Sequence, residues 1–81
     1  MDARSLKQKR SVMNALKDRL RNRFNVSVAE VDGQDLIQGG TLAIAQVSND
    51  TRYLNSCLDR AIDAIRAFPA ASIVDYHISI L

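Results

Sequence analysis

The sequence predicts an α+β domain, and three observations predict it. Apolar residues recur at helical spacing in two stretches, Leu6 to Phe24 and Leu54 to Phe68. They alternate at strand spacing in residues 25–31, 41–48 and 73–81. Helix caps and turn residues separate these stretches, so the order reads α-β-β-α-β, with two helices covering one face of a small antiparallel sheet.

Each element follows from its residues. Ser5 followed by Gln8 forms a capping box ahead of the first helix. Leu6, Met13, Leu16, Leu20 and Phe24 then make one apolar stripe, and Asn25 fits as its stop. Asn25 to Val31 carries Val26, Val28 and Val31 and reads as a strand. Asp32-Gly33 and Gly39-Gly40 bracket a loop. Thr41 to Ser48 is a second strand, with Leu42 and Ile44 on one face and Ala43, Ala45 and Val47 on the other. Ser48-Asn49-Asp50 supplies the cap of a second helix, whose Leu58, Ile62 and Ile65 are expected in the core beside Leu16 and Leu20. Pro69 ends that helix. In Ile73 to Leu81, Val74, Tyr76, Ile78 and Ile80 face one way and Asp75, His77 and Ser79 the other.

A strand ahead of the first helix would complete β-α-β-β-α-β, the ferredoxin-like split unit. In that topology the first strand lies between the third and the fourth. The residues before the first helix are too few and too polar to form it. The fold expected is thus a ferredoxin-like sandwich with its first strand missing, in one domain spanning residues 1–81. Such a sheet carries a gap one strand wide. The gap closes if an upstream segment supplies a strand, if another chain inserts one, or if the two flanking strands pair in parallel around the second helix.

The charge is polarised. Eight of the eleven Lys and Arg precede Phe24, against Asp2 and Asp18, a net +6; the rest of the chain has three arginines against seven acids, a net −4. No apolar run approaches the roughly 20 residues a membrane helix needs, and no apolar h-region follows the basic start, as a secretory signal requires. A lone Cys57 cannot form an internal disulfide, so a reducing cytoplasm is the expected compartment.

The residues also carry a resemblance. Arg4-Ser5-Leu6-Lys7-Gln8-Lys9-Arg10 resembles the opening of the first helix in the YlxP-like family, domain of unknown function 503. Phe24-Asn25-Val26-Ser27-Val28-Ala29-Glu30-Val31 is similar to its second strand. Gln34-Asp35-Leu36 and Val47-Ser48-Asn49-Asp50 resemble its loop and second cap, and Asp75-Tyr76 with Ile80-Leu81 its last strand. Ile37 stands where that family usually has a tryptophan, and Gly39 where it often has an arginine. The resemblance implies a ferredoxin-like fold with a strand before the helix, and it starts where that strand would have just ended. An upstream strand is therefore the expected way of closing the gap, and residues 1–81 are expected to be incomplete as a stable monomer. The family has no agreed activity. Its genes often lie among translation and ribosome-maturation genes, so the resemblance implies a use involving RNA.

The candidate site is the basic face of the first helix. Lys7, Arg10, Lys17 and Arg21, with Asn14 between them, step by three and four residues and form one row. Cations in a line can track a phosphate backbone. Lys9 lies inside the apolar arc, where its stem is expected on the core rim and its ammonium in water. The second helix mixes Asp59, Arg60, Asp63 and Arg66 and reads as self-compensating surface. Phe24 and Phe68 lie on core stripes, and Tyr53 is the aromatic expected to be exposed.

Catalysis is not expected. Asp75, His77 and Ser79 stand in parallel along a strand and do not converge as a triad must. One His and one Cys on separate elements do not make a zinc site. Gly39-Gly40 precedes a strand, without the helix N-terminus that binds a phosphate, and Asp32 and Asp35 read as a solvated turn. No cofactor or small-molecule substrate is implied. The sequence therefore points to a non-enzymatic, cytoplasmic module docking on ribosomal or other structured RNA through its first helix. The alternative is a homo-oligomeric interaction module that uses the small-residue sheet face or open strand edges.

Overall fold

A computed structural model describes residues 3–81. It contains helix α1 (Leu6–Arg23), strand β1 (Ser27–Asp32), strand β2 (Thr41–Ala45) and helix α2 (Thr51–Arg66). The order is α-β-β-α around one two-stranded antiparallel sheet, an α+β fold consistent with a shortened ferredoxin-like unit.

The caps form as the sequence indicates. Ser5 Oγ accepts from Gln8 N at 3.1 Å, and Gln8 Oε1 accepts in return from Arg4 N at 2.7 Å. Two N–H groups at the helix start are thus satisfied by side chains. Phe24 takes extended dihedrals and donates its N–H to Leu20 O, so the helix closes two residues before Asn25. At the start of α2, Asp50 Oδ1 accepts from Arg52 N and Tyr53 N, and its charge suits the positive end of the helix dipole.

In the sheet, Ser27 pairs with Ala45, Val28 with Ile44, Ala29 with Ala43 and Glu30 with Leu42. Asp32 then pairs with Thr41, which leaves Val31 over as a bulge. Gly33 follows at φ +76°, a left-handed conformation that glycine adopts without steric cost. The bulge and this turn swing the loop 33–40 back over the start of α1.

The core lies between the sheet and the helices, at Leu16, Leu20, Val28, Ala61 and Ala64. Here α2 departs from expectation. Its buried stripe is Cys57, Ala61 and Ala64, whereas Leu58, Ile62 and Ile65 are only half-buried. Those three large side chains are rotated toward a cleft of about 540 Å³. The small residues Ala61 and Ala64 pack with Leu16 and Leu20 of α1, and the larger ones fall on the flank.

The third expected strand does not form. Residues 73–81 belong to neither helix nor strand. Their alternation is that of a strand, but a strand exists only as half of a hydrogen-bonded pair. The segment lies across the cleft from β2, and closure of the two as a parallel pair does not occur. Val74 is therefore 99% exposed, and Tyr76 is 52% exposed with Arg66 over its ring at 5.5 Å.

Lys9 corrects a third expectation. Its ammonium is not in water; the residue is 0% exposed. Lys9 Nζ lies 2.7 Å from Glu30 Oε2, donates to Gly33 O at 2.6 Å and reaches Gln34 O at 3.4 Å. Glu30 shares the inward face of β1 with Val28, so the strand aims its carboxylate at the one cation on the apolar stripe. The ammonium thus donates to two loop carbonyls and sits against one carboxylate oxygen, which ties α1, β1 and the loop together. Gly40 packs over this pair, and a Cβ there would overlap Glu30 Oε2.

Candidate nucleic-acid interface

On α1, the four cations of the row differ in their surroundings. Lys7 and Arg10 are exposed and Lys17 is half-buried. Among the described residues none of the three forms an ion pair. From Lys7 to Lys17 is ten residue steps, or about 15 Å of helix at 1.5 Å per residue. Gln8 and Ser11 lie between them in sequence, and the first turn of α1 contains no acid.

Arg21, on the same row, has contacts that the other three lack. Its Nη2 donates to Val28 O at 2.7 Å, and its Nη1 lies 3.7 Å from Asp18 Oδ1. The guanidinium is therefore tied to β1, with an acidic neighbour on its own helix. Sequence spacing placed it on the row correctly, but its acceptor is a backbone carbonyl, which leaves no mark in the sequence. Two further arginines are drawn toward aromatic rings, Arg19 over Phe68 at 5.8 Å and Arg23 over Phe24 at 5.5 Å. Lys7, Arg10 and Lys17, which have neither an acidic nor an aromatic partner among the described residues, thus fall in the N-terminal two thirds of α1.

The outer sheet face offers no stacking platform. Ser27, Ala29, Ala43 and Ala45 are exposed there, and none is aromatic. On α2, Arg66 lies 3.9 Å from Asp63 and Arg60 donates to Ser56 Oγ, which fits a self-compensating surface. His77 Nε2 is 3.1 Å from Ser79 Oγ, while Asp75 Oδ1 accepts from Tyr76 N, so Asp75 does not orient the imidazole. No group of three or more His, Cys, Asp or Glu side chains that could hold a metal occurs among the described residues. Nor is any described helix long and apolar enough to cross a membrane.

Fold and surface together define a small α+β domain with one cationic helix face. The family described as "Protein of unknown function (DUF503)" matches residues 1–78, and the chain belongs to that family. It is 40% identical over 68 residues to a Bacillus subtilis (strain 168) protein described as "Uncharacterized protein YlxP", an alignment covering 84% of this chain and 74% of that protein. No solved structure matches the chain.

Proposed function

We propose that this chain is a non-enzymatic cytoplasmic module that docks on structured RNA, ribosomal RNA included, through Lys7, Arg10 and Lys17 of α1. The observation that carries the reading is the set of three unpaired cations aligned on one helix. Among the other cations, Arg21 and Arg66 have acidic neighbours, Lys9 is buried against Glu30, Arg19 and Arg23 lie over aromatic rings, and Arg4, Arg52 and Arg60 lie off this row. Unpaired cations in a line are the electrostatic footprint of a phosphate-binding surface.

Counterion release makes the test quantitative. Three phosphate contacts give a log K against log salt slope of about −2 to −3. Lys7→Gln/Arg10→Gln/Lys17→Gln is expected to flatten that slope toward zero and to lower affinity for a structured RNA at low salt. Arg21→Gln alone is expected to leave the slope within about half a unit, because its guanidinium already serves Val28 and Asp18. Filter binding of the chain and both variants over a salt series reads the result. A triple variant with unchanged slope sinks the reading.

A second reading, self-association through the sheet, is favoured by a different observation. β2 is paired with β1 on one side only.

A further inference from the structure

The carbonyls on the far edge of β1, away from β2, are occupied by side chains. In an antiparallel strand the backbone groups turn alternately toward the partner strand and away from it, so residues two apart turn the same way. Val28 O accepts from Arg21 Nη2 at 2.7 Å, and Glu30 O accepts from Gln34 Nε2 at 3.2 Å. One donor belongs to α1 and the other to the 33–40 loop, so both reach the strand from outside the β1–β2 pair. Val28 and Glu30 therefore turn their backbone groups to the far edge, and Ser27 and Ala29 turn theirs to β2.

Without those side chains the edge would invite pairing. Residues Ser27 to Val31 include neither lysine nor proline, the residues that commonly keep an edge strand apart from others. Val28 and Val31 are β-branched and suit extended backbone. Three features close the edge instead. Arg21 covers the middle of the strand and Gln34 its end, and the bulge at Val31 interrupts the ladder just beyond. A strand arriving from another molecule needs the same two carbonyls and the space that these side chains fill. Charge opposes it as well. Arg21 shares a face of α1 with Arg10 and Lys17. Two copies pairing β1 with β1 about a two-fold axis would set those faces against each other.

We propose that Arg21 and Gln34 guard the far edge of β1 against strand pairing with a second copy of this chain. Among the described residues, Arg21 is the one cation of the α1 row bonded to another element, and the guard gives that bond a use. Any growth of the sheet by another copy is thereby directed away from the edge that lies beneath the cationic helix face.

The test compares the full 81-residue chain with Arg21→Ala/Gln34→Ala by amide exchange at Val28 and Glu30 over a wide concentration range. In the parent, exchange at these two amides is expected to be the same at every concentration. In the double variant it is expected to slow by about tenfold or more at high concentration, as newly hydrogen-bonded edges do. Added salt should slow it further, because it screens the facing cations. Association through β2 does not touch these two amides, so the readout is specific to the far edge of β1. Protection at Ser27 and Ala29, the amides turned to β2, reports that the β1–β2 pair is intact. Arg21→Ala alone is read by the same criterion if the double variant loses that pair. A variant with an intact pair whose Val28 and Glu30 amides exchange alike at all concentrations overturns the guard. Concentration-dependent protection of the two amides in the parent overturns it too, since the edge would then be open with both side chains present.

Discussion

Lys9→Met is expected to lower the unfolding free energy by about 3–5 kcal/mol, the cost of leaving a buried charge without its partner. The side chain of Glu30 is 13% exposed and faces Lys9 Nζ, so its carboxylate would be stranded beneath the 33–40 loop. The loop carbonyls of Gly33 and Gln34 would lose their donor in the same step. For 81 residues at roughly 0.05–0.15 kcal/mol each, that is a large share of total stability. Lys9→Met/Glu30→Leu is expected to recover most of the loss, because an apolar pair of similar volume often replaces a buried ion pair at little cost. Urea unfolding of both variants measures it. A single variant within about 1 kcal/mol of the parent would show that the pair does not hold the loop.

Leu20→Ala is expected to cost about 2–5 kcal/mol, and Leu58→Ala distinctly less. Leu20 is 0% exposed at the centre of the core, so truncation leaves a cavity walled on all sides. Leu58 borders the open cleft, where solvent and its neighbours can refill the space. The helical pattern alone ranks the two as equals, since both sit on apolar stripes. Thermal unfolding of the two variants side by side separates the readings. Equal losses would return Leu58 to the core and contradict the observed facing of α2.

These two cases show where the sequence was legible. Both helices and their caps follow from local rules, because Ser5–Gln8 and Asp50 satisfy backbone groups a few residues away. The direction in which α2 turns its stripe is not local. It shows in Ala61 and Ala64 clustering with Leu16 and Leu20 of α1, which Leu58 and Ile62 do not. Residues 73–81 show the same limit in a strand. The alternation is present, but pairing needs a neighbouring edge within hydrogen-bond reach, and the cleft separates the segment from β2.

The site divides along similar lines. The row Lys7, Arg10 and Lys17 could be read from spacing and composition, and the structure keeps all three unpaired among the described residues. Arg21 fits the same spacing yet is diverted by Val28 O, a tertiary contact with no sequence signature. Lys9 had a legible clue. Glu30 lies two residues after Val28 and therefore shares its inward face, which puts a carboxylate opposite a lysine on the apolar stripe.

The central claim is that α1, and not the sheet, meets RNA. Titrating a short structured RNA into ¹⁵N-labelled chain and following backbone amide shifts tests it most directly. The account predicts that the largest shifts fall on and around Lys7, Arg10 and Lys17, with little change at Ser27, Ala29, Ala43 and Ala45 on the outer sheet face. Shifts concentrated on that sheet face, or none anywhere at low salt, would contradict it.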